Sequence, residues 1–149
     1  MSKPGETLAV HLVETEERLH SACAVLTQLR VKLSPEKLLV QVREQLKDGY
    51  RLACVEQEGR VICVAGFVIG TKLAWGRHLY VDDLVTDENS RSTGAGSLLL
   101  HWLKGFARRN GCTQLHLDSG VQRYDAHRFY LRHGFHITSH HFAITDLNE

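Results

Sequence analysis

Two acidic residues, Asp82 and Asp83, interrupt an otherwise apolar run, Y-V-D-D-L-V-T, at residues 80–86. A carboxylate in such a setting can bind an ammonium group and take or relay its proton through water, which an amine must lose before it can attack. Successive side chains of a strand point to opposite faces, so the run predicts that at most one of the two faces a given cleft. A solvated or salt-bridged pair at a strand edge is the plainer alternative. Directly after the run comes D-E-N-S-R-S-T-G-A-G-S, residues 87–97, and then a helical pattern. A loop that ends at a helix N-terminus offers unpaired backbone N–H groups and the positive end of the helix dipole. That is an anion site. Gly94 and Gly96 remove side chains that would hold a phosphate away from the amides of Ser92, Thr93, Ala95 and Ser97, and Arg91 adds a forked, permanent positive charge. The geometry predicted for residues 92–97 suits a pyrophosphate. A phosphate loop of the G-x-x-x-x-G-K-[ST] type is excluded because the lysine is missing. The pattern G-x-G-x-x-G fails because Leu99 stands where the third glycine belongs. Alone, G-x-G before a helix equally describes a tight turn.

Other reactive side chains carry less pattern. Tyr130 follows Phe129 in a helical segment whose Ala126 and Phe129 should face the core, and by itself it reads as a half-buried packing residue. Ten histidines are present, five of them at 127, 133, 136, 140 and 141. They lack the convergent spacing of a ligand set, so no metal is expected. Cys23, Cys54, Cys63 and Cys112 lie far apart without a C-x-x-C pair and read as buried free thiols. Trp75 precedes the carboxylate strand and is expected to wall an acceptor site, whereas Trp102 reads as core.

These groups need elements to hold them. Residues 7–13 read as a strand and 15–31 as a helix. Ser34-Pro35-Glu36 is a helix start, and that helix runs to about Lys47. Strands follow at 50–56, 60–70 and 78–86, the first two joined by a turn at Glu58-Gly59. An amphipathic helix at 95–109 presents Leu98, Leu99, Trp102, Leu103 and Phe106 on one face. A strand at 112–118, a helix at 124–133 and a last strand at 135–144 complete the chain. The expected fold is α/β of the α+β type, in the order β-α-α-β-β-β-α-β-α-β. Its mixed central sheet carries helices on both faces, with hairpin-joined strands antiparallel and the 78–118 unit parallel.

The stretch L-V-T-D-E-N-S-R-S-T-G-A-G-S-L-L-L resembles the acyl-CoA motif [RQ]-x-x-G-x-[GA] of the GNAT acetyltransferases. Arg91, Gly94 and Gly96 match in register, after the fourth strand and opening the third helix. The segment A-H-R-F-Y-L-R-H-G-F, from Ala126 to Phe135, resembles the same family's C-terminal motif. The resemblance extends to nearly the whole chain in element order. It implies a GNAT-like fold and acetyl-CoA as cosubstrate, its pyrophosphate on the amides of the Arg91–Ser97 loop. It further implies cofactor contacts at Leu84, Val85 and Thr86, with a backbone N–H near Val85 on the thioester carbonyl, and a tyrosine, Tyr130, beside the thioester sulfur. Many members have asparagine three residues before the alanine. Here Arg123 stands there, as in the aminoalkylphosphonate acetyltransferases, and it is a further candidate for the cofactor phosphates. The run L-Y-V-D-D-L-V is similar to the matching strand of diamine acetyltransferases, where an acidic residue at the Asp82 position serves the acceptor amine. Ser92 departs from the common glycine after the motif arginine and constrains the loop.

The bulk composition fits this reading. A chain of 149 residues suits one N-acetyltransferase domain over 1–149. Lys and Arg total 18 against 17 Asp and Glu, a balance that argues against a dedicated nucleic-acid binder. There is no apolar run long enough to span a membrane. The start M-S-K-P-G-E-T lacks an apolar signal core, so a cytoplasmic protein is expected. The expected reaction is direct transfer of acetyl to a small-molecule primary amine in a ternary complex, with no covalent enzyme intermediate. The competing expectation is a CoA-binding or regulatory module without turnover, which would need only the Gly94/Gly96 loop. A metal-dependent binder built on the histidines is more distant. An edge strand at the C-terminus would offer pairing between two copies as a homodimer.

Overall fold

The computed structural model describes residues 7–148. Five strands, β1 (Leu8–Leu12), β2 (Arg51–Gln57), β3 (Arg60–Lys72), β4 (Gly76–Thr86) and β5 (Gln114–Leu117), form one sheet in sequence order. The first four pair antiparallel and β5 pairs parallel to β4. Turn chemistry explains the hairpins. Glu58 and Gly59 both take positive φ, 52° and 75°, which matches the twist of the flanking strands. The β3–β4 hairpin is tighter than the sequence suggests, because pairing continues to Lys72 opposite Gly76.

Four helices accompany the sheet: α1 (Glu16–Leu26), α2 (Pro35–Lys47), α3 (Ala95–Arg109) and α4 (Tyr124–Arg132). Ser34 caps α2, accepting from the Lys37 N–H at 3.3 Å, with Pro35 opening the helix. The helix expected over 15–31 stops at Leu26, since Gln28, Leu29 and Arg30 turn back through bonds to Val25 and Leu26 carbonyls. One face of the sheet packs Leu52, Cys54, Val61 and Val64 against Leu19, Ala22 and Leu26 of α1 and Leu38 and Val42 of α2. The opposite face packs Val55, Ala65, Phe67, Leu79 and Val81 against Leu99 and Leu103 of α3. The mixed sheet with helices on both faces is therefore built by α1 and α2 on one side and α3 on the other.

The chain divides into two compact units, Met1–Leu117 and Asp118–Glu149. The first contains the sheet and α1–α3. The second contains α4, which ends at His133 and Gly134, the latter with φ of 91°. The strand expected over 135–144 is corrected: residues 135–148 pair with no strand among the described residues. Apolar alternation alone does not make a strand, which needs a partner to take its backbone groups. Ala126 and Phe129, expected to face the core, are both half-buried.

Candidate functional site

Strand β4 leads straight into the loop that starts α3, and the site is built on that continuous segment. Register between β3 and β4 places Gly66 opposite Asp83 and Phe67 opposite Val81, so Asp82 is skipped. It is the extra residue of a β-bulge. The strict alternation expected for the two aspartates is thereby broken. Leu79, Val81 and Leu84 pack toward α3, while Val85 packs toward α1 and α2. Pairing of β4 with β5 ends at Val81 opposite Leu117, so the bulge begins where the two strands part.

Asp83 is a tied carboxylate. The Tyr50 hydroxyl donates to its Oδ2 at 2.6 Å and the Arg30 guanidinium donates to its Oδ1 at 2.8 Å. Asp82 is exposed, and its carboxyl is held above the ordinary aspartate range by partial desolvation and then by the like charge of Asp83, with Arg30 opposing. Its backbone carbonyl accepts from Arg30 Nη2 at 3.0 Å. Tyr50 is almost fully buried, and its phenol is pushed far up, by burial first and Asp83 second, so it remains a donor. Sequence reasoning missed Arg30 and Tyr50. One signal was present: a glycine inside a strand, Gly66, marks a bulge or a close approach. A Cβ there would overlap the Tyr50 phenol.

Beyond the bulge, the Thr86 hydroxyl donates to Cys63 Sγ at 3.4 Å and the Asp87 N–H to the Ile62 carbonyl at 2.8 Å. Glu88–Ser90 form a single 3-10 turn. Buried Ser90 anchors the loop, its carbonyl accepting from the Thr93 hydroxyl at 2.8 Å. Thr93 in turn accepts from the Ala95 N–H at 3.3 Å. Ser92 and Gly94 take positive φ, 70° and 84°. The resemblance marked Ser92 as a constraint, and the backbone there is indeed in the region glycine favours. Arg91, Ser92 and Gly94 are exposed, while Gly96 and Ser97 are half-buried in the first turn of α3. Gly94 is the helix N-cap and brings no side chain, and a Cβ built on it would meet nothing within 4 Å. An open, left-handed approach to a helix N-terminus fits a diphosphate.

The structure thus brings Asp82, Asp83, Leu84, Val85, Thr86 and the Arg91–Ser97 loop together in the first unit. Tyr130 and Arg123 belong to the second. There, Tyr130 lies edge-on to Phe129 and Phe135, with ring centres 5.6 and 5.7 Å away. Arg123 precedes α4, its N–H bonded to the Gly120 carbonyl at 3.0 Å. Trp75 stacks on His116 at 3.6 Å, with Lys72 Nζ 4.5 Å from its ring centre. Trp102 is half-buried, packs against the core as expected and stacks on Phe106. All four cysteines are free and buried. Among the described residues no group of three His, Cys, Asp or Glu is placed to hold a metal, and no helix is long and apolar enough to cross a membrane.

A mixed sheet whose fourth strand feeds a glycine-bearing anion loop defines an acyl-CoA type of site. Residues 18–135 match the Acetyltransferase (GNAT) family, and the chain belongs to it. It is 32% identical over 130 residues to YhdJ of Bacillus subtilis (strain 168), an uncharacterized N-acetyltransferase, covering 86% of this chain and 92% of that one. Over 65 residues it is 38% identical to the aminoalkylphosphonate N-acetyltransferase of Salmonella typhimurium, 44% of this chain and 41% of that one. An aminoglycoside N-acetyltransferase solved with CoA shares the fold, with a TM-score of 0.85 at 14% identity over 99% of both chains. The protein is accordingly an acetyl-CoA-dependent N-acetyltransferase.

Proposed function

We propose that the protein acetylates a primary amine of a small molecule by direct attack in a ternary complex, with Asp82 taking the amine proton. The observation that carries this reading is the continuity of residues 82–97. The bulged carboxylate, the β4 end freed from β5 and the anion loop lie on one uninterrupted segment. Bound acetyl-CoA supplies the acetyl group as an activated thioester. The amides of Ser92 to Ser97 and the Arg91 guanidinium hold its pyrophosphate, and the Leu84–Thr86 edge receives the arm that follows, with a backbone N–H near Val85 toward the thioester carbonyl. Arg123 is a further phosphate contact on the motif resemblance.

The acceptor enters as an ammonium ion. Asp82, directly or through water, accepts a proton from it, and the free amine nitrogen bonds to the acetyl carbon as the carbon–sulfur bond breaks. Tyr130, assigned by its place in A-H-R-F-Y-L-R-H-G-F, donates its phenolic proton to the departing thiolate. The products are the amide and free CoA thiol: the nitrogen loses its second proton to solvent as the amide forms, solvent reprotonates the tyrosine and takes the proton from Asp82, and each turnover of an ammonium substrate releases one net proton. The similarity to the aminoalkylphosphonate enzyme supports a small acceptor. A single catalytic domain over 1–149, a cytoplasmic location and a homodimer belong to the same proposal. Thiol release measured across a panel of small amines, protein N-termini and lysine peptides tests it. Turnover confined to small primary amines is expected. Robust modification of peptides with none of small amines would overturn the acceptor class, and CoA binding without any turnover would indicate a silent module.

A further inference from the structure

Tyr50, Asp83 and Arg30 come from three separate parts of the chain and meet beside the bulge. Tyr50 lies between α2 and β2, where its N–H bonds to the Gln45 carbonyl at 3.0 Å. Its ring passes over β3 at Gly66, where no side chain blocks it, and reaches Asp83 on β4. Arg30, in the connection after α1, bonds both the Asp83 carboxylate and the Asp82 carbonyl. Two residues earlier, Gln28 receives the Glu88 N–H at 2.9 Å and donates to Asp87 at 2.6 Å, so the same connection also holds the start of the anion loop. We propose that Tyr50, Asp83 and Arg30 form a clamp that positions Asp82 in the bulge of β4 and sets one negative and one positive charge against it.

The inference rests on Asp82 as the proton acceptor and adds the residues that act through it. Asp83 is then a positioning residue, since both its oxygens are engaged and the amine is served by its neighbour. The charged groups that bear on Asp82 are Asp83 from its own strand and Arg30 from the connection after α1, and the Tyr50 phenol lies within the field of both carboxylates. The segment of β3 opposite the bulge, Gly66-Phe67, brings no ionisable group. A like charge disfavours ionised Asp82 and an opposite charge favours it. The two neighbours therefore act on Asp82 with opposite sign.

The test is the pH profile of kcat for the purified full chain with a saturating small amine, with folding checked by circular dichroism and CoA affinity by calorimetry. Arg30→Gln should move the acid limb to higher pH and Asp83→Asn to lower pH, each by on the order of one unit. Arg30→Lys keeps the charge but loses the fork that reaches the Asp82 carbonyl, so it should lower kcat with the limb near its parent position. It carries the test should Arg30→Gln fail to fold. Shifts of the same sign, no shifts, or a moved limb in Arg30→Lys overturn the clamp while leaving Asp82 as base. Asp82→Asn separates the two ideas, because it should replace the parent limb by one at the amine's own pKa. A parent limb that persists in Asp82→Asn overturns the base assignment and the clamp together.

Discussion

Of the two neighbouring aspartates, only one has a free carboxylate to offer an acceptor. Asp83 is held by a phenol and a guanidinium, whereas Asp82 is exposed and its carboxyl is raised above the usual range. A raised carboxyl is a better proton acceptor once ionised. Asp82→Asn keeps the shape and removes the base, so turnover should fall by roughly 10²–10⁴-fold at neutral pH. The deficit should shrink at high pH, where free amine is abundant. Steady-state thiol release from pH 6 to 10 checks this, and parent rates throughout would remove Asp82 from the mechanism. Tyr130→Phe takes away one oxygen and little packing. It should reduce kcat with CoA affinity nearly unchanged, as read by calorimetry beside the rate assay. The aspartate pair was legible in the sequence because two charges in an apolar run are conspicuous. Which one is free was not, because the answer lies in Tyr50 and Arg30, 33 and 53 residues away in sequence from Asp83.

At the scale of elements, the strand–loop–helix unit is the most local part of the site. Helix α3 spans Ala95–Arg109, as its apolar spacing predicts, since Leu99 and Leu103 share a buried face one turn apart. The loop before it depends on short-range features: Gly94 in the left-handed region, Ser90 buried, Thr93 bonded at both ends. Gly96→Val adds a branched side chain to the first turn, where the amides proposed to hold the pyrophosphate lie. CoA affinity should fall by at least tenfold while the melting temperature changes little, as calorimetry and thermal unfolding would record. Unchanged affinity would remove the loop from the donor site. The segment 135–144 shows the converse. Its composition suits a strand, yet strand formation is decided by a partner, and no local signal reports one.

Across the whole molecule, the two faces of the sheet bury the thiols. Burial pushes Cys23, Cys54 and Cys63 each up to about 11. A thiol raised above its unfolded value contributes stability that is complete below the unfolded pKa and is lost as pH rises through the folded one. Folding stability should accordingly decline between about pH 9 and 11, the interval between the ordinary thiol value of 9.0 and the folded ones. At pH 7.5 such thiols are almost wholly protonated. Iodoacetamide should then leave these three unmodified in the native protein and label all four cysteines in denaturant, as mass spectrometry would show. Rapid native alkylation at any of the three would contradict their burial.

The sequence by itself determined what depends on neighbours within a few residues. That covers the capped α2, the left-handed hairpin turn at Glu58-Gly59, the extent of α3 and the glycine-bearing loop that opens it, because periodicity and backbone chemistry act over one or two turns. With the motif at Arg91, Gly94 and Gly96, it also determined the family. Only the tertiary structure decided the rest. The bulge at Asp82 arises from the register of β4 against β3, and the notch at Gly66 has meaning only with the Tyr50 ring across it. The charge balance at the carboxylates depends on Arg30 arriving from the α1–α2 connection. Coulombic and hydrogen-bond terms fall off with distance in space, not along the chain, so the protonation of a site is set by residues that the linear sequence keeps apart.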